Sequence, residues 1–174
     1  MFIRECKRVI TVSSIVVKPF ESIHQASVEA LVLPIQQIEF GVKITREEQP
    51  DLMYIADTFL SGGGNFWVAL DGERVVGCVG LVNMGNAQVA LKKMFVAREY
   101  RGKATGVAQS LLDTAVRWCR KGDIGQIFLG TVEQLHAAHR FYEKNGFVQL
   151  AKSALPATFP LVSVDTRFYK LDLE

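Results

Sequence analysis

Between Gln88 and Lys121 the chain changes its periodicity around a short basic loop, and that change constrains everything packed beside it. Gln88 to Val96 reads as a strand. After the loop, Val107, Ala108, Leu111, Leu112, Ala115, Val116 and Cys119 recur at helical spacing and keep one face apolar, which predicts a helix over 106–120. The loop between them carries Arg101, Gly102, Lys103, Thr105 and Gly106. Unpaired amides of a first helical turn, the positive end of the helix dipole and the Arg101 and Lys103 side chains would converge there on one anion. Taken alone, the glycines equally read as turn residues and the cations as a solvated rim. No Gly-x-x-x-x-Gly-Lys-Ser/Thr run occurs, and Gly62-Gly63-Gly64 precedes a strand instead of following one, so two other phosphate motifs fail.

Upstream, 12–17 suits a strand and Ser22 to Leu33 a helix stopping before Pro34, with 35–45 left unassigned. Pro50 opens a second helix with Leu52, Ile55, Ala56, Phe59 and Leu60 inward, closed by the three glycines. Asn65 to Leu70, a turn at Asp71-Gly72, and Arg74 to Val82 make a hairpin, and a Gly85-Asn86 turn leads to the strand ending at Val96. Downstream come a strand at Gln126 to Gly130 and a Thr131-x-x-Gln134 capping box, followed by a helix with Leu135, Ala138 and Tyr142 on one face. Strands from Phe147 and over Val162 to Leu171 complete the chain. Antiparallel strands followed by a strand-helix-strand crossover predict a three-layer α+β domain over 1–174, with a mixed, mostly antiparallel sheet flanked by helices.

The 20 Lys and Arg exceed the 18 Asp and Glu by only two, so no single-sign surface for nucleic acid or membrane is expected. No apolar run approaches a membrane span and no secretory leader is evident, so the expected location is cytoplasmic. Cys6, Cys78 and Cys119 are scattered and lack a C-x-x-C pair, and read as reduced, mostly buried thiols. His136 and His139 stand at helical i, i+3 spacing without an evident third ligand, and no metal site is expected.

Three segments in order, Leu91-Lys-Lys-Met-Phe-Val96, the loop from Arg101-Gly102 to Ala108, and Ala138-His-Arg-Phe-Tyr-Glu-Lys-Asn-Gly-Phe147, resemble the GNAT N-acetyltransferase family from about Phe66 onward. The resemblance implies the acyl-CoA N-acyltransferase fold and transfer of an acetyl group from acetyl-CoA to the amine of a small molecule or of a protein. It implies that Met94, Phe95 and Val96 offer backbone hydrogen bonds to the pantetheine arm, and that Arg101, Gly102, Lys103, Thr105, Gly106, Val107 and Ala108 hold the diphosphate. Tyr142 falls where the family places the phenol that protonates the departing thiolate; a thiol near ~8.5 and a phenol near ~10 exchange a proton at little cost. A homodimer is implied only by analogy with relatives.

Some residues depart from that pattern. Three residues stand between the two loop glycines where the family usually has one, so Ala104 and Thr105 read as an insertion and a wider or bulged cradle is expected. Leu135 replaces a frequent Asn, and Ala90 stands where many relatives carry a Glu that accepts the amine's proton. Among Glu39, Glu47 and Glu48, Glu39 is the favoured substitute, because apolar residues flank it. The missing Glu leaves a second reading open: an acetyl-CoA-binding sensor or regulatory module without catalysis.

Overall fold

The computed structural model of the protein describes residues 14–174. Seven strands, β1 (Ile15–Pro19), β2 (Asn65–Asp71), β3 (Arg74–Gly85), β4 (Gln88–Val96), β5 (Gln126–Thr131), β6 (Val148–Leu150) and β7 (Arg167–Asp172), form one sheet in the order β1-β2-β3-β4-β5-β7-β6. The helices are α1 (Gln25–Pro34), α2 (Pro50–Met53), α3 (Val107–Lys121) and α4 (His136–Lys144). β4 and β5 pair in parallel across the α3 crossover, and the other pairs are antiparallel. This is the mixed sheet that the order of elements implied.

Alternation along β2 sorts the core into two halves. Trp67 and Ala69 pack in the cluster that holds Val107, Leu111, Leu112, Ala115 and Cys119 of α3 and Tyr142 of α4. Phe66, Val68 and Leu70 point the other way, against Val28 and Val32 of α1 and Leu52, Ile55 and Phe59. Burial on both faces explains why β2 reads as an unbroken apolar run. Each fully buried Leu, Ile or Phe adds roughly 1.5–3 kcal/mol relative to exposure. Phe59 and Phe66 also meet edge to face at 5.0 Å between centroids. Cys78 and Cys119 are buried in these two halves, and burial pushes each thiol up to about 12, which keeps both protonated at neutral pH. Cys6 lies outside the described residues.

Several local expectations are corrected. Positions 12 and 13 lie outside the described residues, and the first strand runs two residues beyond 17. The helix does not stop before Pro34. That proline is the last residue of α1, and the chain continues through a π-helical turn, Ile35–Glu39, with Phe40 N–H bonded to Ile35 O at 3.1 Å. A proline breaks the α pattern of donors, and the wider turn re-pairs the backbone just after it. The second helix is interrupted at Tyr54 (φ −129°, ψ 62°) and resumes as a π-helical turn, Ala56–Leu60. Leu52, Ile55 and Phe59 are nonetheless fully buried. Gly64 has to be glycine, because a Cβ there would collide with the Leu81 carbonyl.

Both hairpin turns sit one residue later than expected. Asp71 pairs with Arg74 around Gly72-Glu73, and Gly85 pairs with Gln88 around Asn86 and Ala87, which take φ of 53° and 57°. Positive φ at both central positions matches the twist of the flanking strands. The Thr131 capping box does not form: Thr131 ends β5, and α4 begins at His136 without a side-chain cap. Residues 162–166 turn before β7, with Asp165 N–H bonded to Val162 O at 3.0 Å. Among the described residues no helix is long and apolar enough to cross a membrane.

Candidate active site

The site lies where the two parallel strands part. β4 and β5 pair only through Gln88 with Gln126, Val89 with Ile127 and Ala90 with Phe128. Beyond these positions β4 keeps β3 and β5 keeps β7, so a gap opens between Leu91–Val96 and Leu129–Thr131. Backbone groups of β4 that would have met a neighbouring strand face that gap.

A bulge in β4 sharpens the opening. Cys78 pairs with Phe95 but Gly80 pairs with Lys92, so Lys93 and Met94 together oppose Val79, and Lys93 takes φ +53°. Consecutive residues of a regular strand point to opposite faces. Here Lys92 and Lys93 converge instead, each Nζ 3.2 Å from a carboxylate oxygen of Asp51. Lys93 Nζ also donates to Gln49 Oε1 at 2.7 Å, and Gln49 exchanges amide hydrogen bonds with Gln36 at 3.0 Å. This ties the π-helical turn after α1, and α2, to the bulge.

Two cavities meet at the gap. One reaches from Met94, Phe95 and Val96 past Arg101, Gly102 and Ala108 to the start of α3. The other, about 100 Å³, is walled by Val42, Ile44, Val132, Phe159, Val162 and Val164, with Lys92, Lys93 and Asp165 at its polar side. Met94, Phe95, Leu135, Ala138 and Tyr142 line both. Tyr142 is 6 % exposed and packs against Phe147 and Tyr169 at 5.4 and 6.1 Å between centroids. Burial, and then the nearby Asp165 carboxylate, raise its phenol above the ordinary value, so it stays protonated at neutral pH.

The loop before α3 is tighter than expected. Gly106 N–H bonds to Gly102 O at 3.2 Å, the Thr105 hydroxyl donates to Tyr100 O, and Gly106 takes φ +63° as the residue before the helix. Ala104 and Thr105 therefore close a turn and make no bulge. Val107 buries its side chain in the core and Thr105 turns its hydroxyl inward, so neither side chain faces out from the loop. Lys103 is exposed on the loop.

Arg101 and Glu39 are brought together, but not as base and substrate. The Arg101 guanidinium grips the Glu39 carboxylate with two hydrogen bonds, and Arg101 Nε donates to Val96 O at 2.8 Å. The Arg101 hydrogen bond, against a smaller effect of burial, holds the Glu39 carboxyl below its usual value. Glu39 does not line the cavity with Tyr142. A carboxylate held anionic on an arginine, outside that cavity, is poorly placed to accept a proton within it. Ala90 is fully buried among Met84, Phe128, Phe159 and Phe168, so the strand position that often holds an acid is sealed in core.

Asp165 was not anticipated, because a strand over 162–171 would alternate it away from Val162 and Val164. The turn instead brings it to the cavity, where its carboxylate oxygen lies only 2.5 Å from where a Cβ on Gly130 would stand. Glu133, His136 and His139 hold their potential ligand atoms within 4.8 Å of one another. They line neither cavity; His139 Nε2 lies 2.9 Å from Val132 O, and Glu133 pairs with Arg167 at 2.7 Å.

The sequence pattern described as the Acetyltransferase (GNAT) family matches residues 31–147. A crystal structure of an acetyltransferase of the GNAT family from Staphylococcus aureus Mu50 is 37 % identical, with a TM-score of 0.89 over 92 % of this chain and 99 % of that one. The PaiA N-acetyltransferase of Thermoplasma acidophilum, in complex with coenzyme A, shares the fold at 15 % identity and a TM-score of 0.73, over 92 % of this chain and 99 % of that one. N-acetyltransferase 8F1 of Rattus norvegicus is 28 % identical over 67 % of this chain and 54 % of its own length, so the chain spans about half of that curated relative. With the split β4–β5 edge, the basic loop at a helix start and a family match over most of its length, the chain belongs to the GNAT acetyltransferase family.

Proposed function

We propose that this chain transfers the acetyl group of acetyl-CoA to a primary amine, carried by a small molecule or a protein. The observation that carries the reading is the position of Tyr142 on the shared wall of two cavities. A thioester entering along β4 would place its sulfur near the phenol, and an amine in the second cavity would approach from the other side. That cavity's apolar walls suit an amine on an aliphatic or aromatic stem. The first-turn amides of α3 and the exposed Lys103 supply donors and positive charge for the diphosphate, while the edge of β4 that β5 leaves uncovered suits the amide-rich pantetheine arm. Met94, Phe95, Val96, Arg101, Gly102, Lys103, Thr105, Gly106, Val107 and Ala108 form the cofactor side of this reading. Arg101 acts there through Val96 and Glu39, holding the loop to the strand.

Ligand-dependent melting tests the cofactor. Acetyl-CoA at 100 times Kd stabilises by about 2.7 kcal/mol, whereas ATP and NAD are expected to leave the melting temperature unchanged. The Gly106→Glu variant should fold, since no atom lies within 4 Å of the added Cβ and the left-handed backbone costs only about 1–2 kcal/mol. Its carboxylate would meet the diphosphate, and the acetyl-CoA stabilisation should vanish. Equal stabilisation by ATP, or undiminished acetyl-CoA binding in the variant, places the phosphate site elsewhere. Release of coenzyme A with a panel of amines separates an enzyme from a sensor.

A further inference from the structure

We propose that Asp165 is the group that takes the proton from the acceptor ammonium, and that Gly130 is a glycine because its missing side chain makes room for that carboxylate. The proposal rests on the acetyltransferase reading and supplies the base that neither Ala90 nor Glu39 provides. Asp165 lines the cavity that Tyr142 closes, part-buried and facing its apolar walls. Its carboxylate makes no hydrogen bond or ion pair among the described residues, so its oxygens are free for an incoming N–H. Gly130 sits inside β5, where glycine weakens a strand. A Cβ there would stand 2.5 Å from Asp165 Oδ2, 3.1 Å from its Cγ and 3.1 Å from Phe168 Cε1, so the carboxylate makes the tightest contact. Strand propensity is given up where the carboxylate needs the space.

The electrostatics suit the task. Burial raises the Asp165 carboxyl to about 6 against the pull of Lys92 and Lys93 on β4, and Asp51 of α2 adds repulsion; Tyr142 of α4 faces it as a neutral phenol. A base near neutrality is ionised at pH 7 yet binds a proton usefully. The ammonium gives one proton to Asp165, and the neutral nitrogen forms the C–N bond as the carbonyl electrons move to oxygen. On collapse the C–S bond breaks and the sulfur takes the Tyr142 proton. The second nitrogen proton, passed through water, restores the phenol, and Asp165 returns its proton to solvent. The balance is ammonium plus acetyl-CoA to amide, coenzyme A and one proton.

The test compares the wild-type chain with Asp165→Asn and Gly130→Ala, using ethylamine and the weakly basic trifluoroethylamine. With ethylamine, wild-type kcat/KM should rise with pH through about 6 and then level. Asp165→Asn should lose that limb and about 10²-fold of its rate at pH 7, with unchanged acetyl-CoA affinity. The deficit should shrink with trifluoroethylamine, which is already neutral. Gly130→Ala, displacing the carboxylate, should lower the rate in the same direction. An NMR titration of carboxyl-labelled aspartate should show a resonance near 6 that is missing from Asp165→Asn. Retention of rate and pH limb in Asp165→Asn, or titration of Asp165 in the ordinary aspartate range, overturns the role of Asp165 alone. Failure of the wild-type chain to release coenzyme A with any amine overturns the acetyltransferase reading and this one with it.

Discussion

Replacing Tyr142 by phenylalanine is expected to lower turnover roughly 10²–10⁴-fold while leaving the fold and acetyl-CoA affinity nearly unchanged. The ring would stay where it is, against Phe147 and Tyr169, and the lost hydroxyl has no hydrogen bond among the described residues. Only the proton is removed. Burial and Asp165 both favour the neutral phenol, so the wild-type acid is present throughout neutral and mildly alkaline pH and is lost only as pH rises through its raised pKa. The rate loss corresponds to about 2.7–5.5 kcal/mol of barrier, large enough to separate catalysis from packing. The measurements are steady-state coenzyme A release, acetyl-CoA titration calorimetry and melting of both proteins. An undiminished kcat in Tyr142→Phe would reduce the tyrosine to core.

The parts of this architecture that announce themselves in the sequence are those set by local periodicity. α3 begins and ends within a residue of its apolar repeat, and β4 matches its expected bounds, because burial of one helix face or of both strand faces writes a pattern over many residues. The place of the loop at 101–106 is legible from its cations and glycines, but its tight closure by Gly102 and Thr105 and the Arg101 pairing with Glu39 are not. What stays hidden is set by contacts distant in sequence. The β4 bulge depends on pairing with Cys78 and Gly80, and nothing in Lys92-Lys93 says that both side chains point one way. Asp165 depends on a turn where the residues alone suggest strand. The pairing of Glu39 with Arg101 spans 62 positions and becomes visible only once α1 continues past Pro34.

The largest stability effect is expected from Asp51→Ala. Asp51, Lys92 and Lys93 have side chains only 14 %, 15 % and 7 % exposed, and one carboxylate serves both ammonium groups. Burial alone would raise the Asp51 carboxyl, yet Lys93 and Lys92 together hold it below its ordinary value; burial, helped by Lys92, lowers Lys93 against the pull of Asp51 and, more weakly, Asp165. The aspartate therefore gains from the cluster more than Lys93 does. Removing it leaves the buried Lys93 and the part-buried Lys92 with only Gln49 and the more distant field of Asp165 to offset their charge, a change that costs about 3–5 kcal/mol. In a domain of this size each kcal/mol moves Tm by about 2–4 °C, so a fall of about 6–20 °C is expected. The pH dependence has two signs. The Asp51 contribution is present above the unfolded carboxylate pKa and is lost as pH falls through the lowered folded value, so wild-type stability declines in acid more steeply than that of Asp51→Ala. Lys93, whose folded pKa is lowered, favours the folded state more as it deprotonates, so Asp51→Ala should recover stability toward alkaline pH. Adding Lys93→Met to Asp51→Ala should restore part of the loss at pH 7, because the cost lies in isolated buried charge and not in missing attraction. Melting curves across pH for the three proteins check this, and a single variant as stable as wild type at pH 7 would mean that water reaches the lysines.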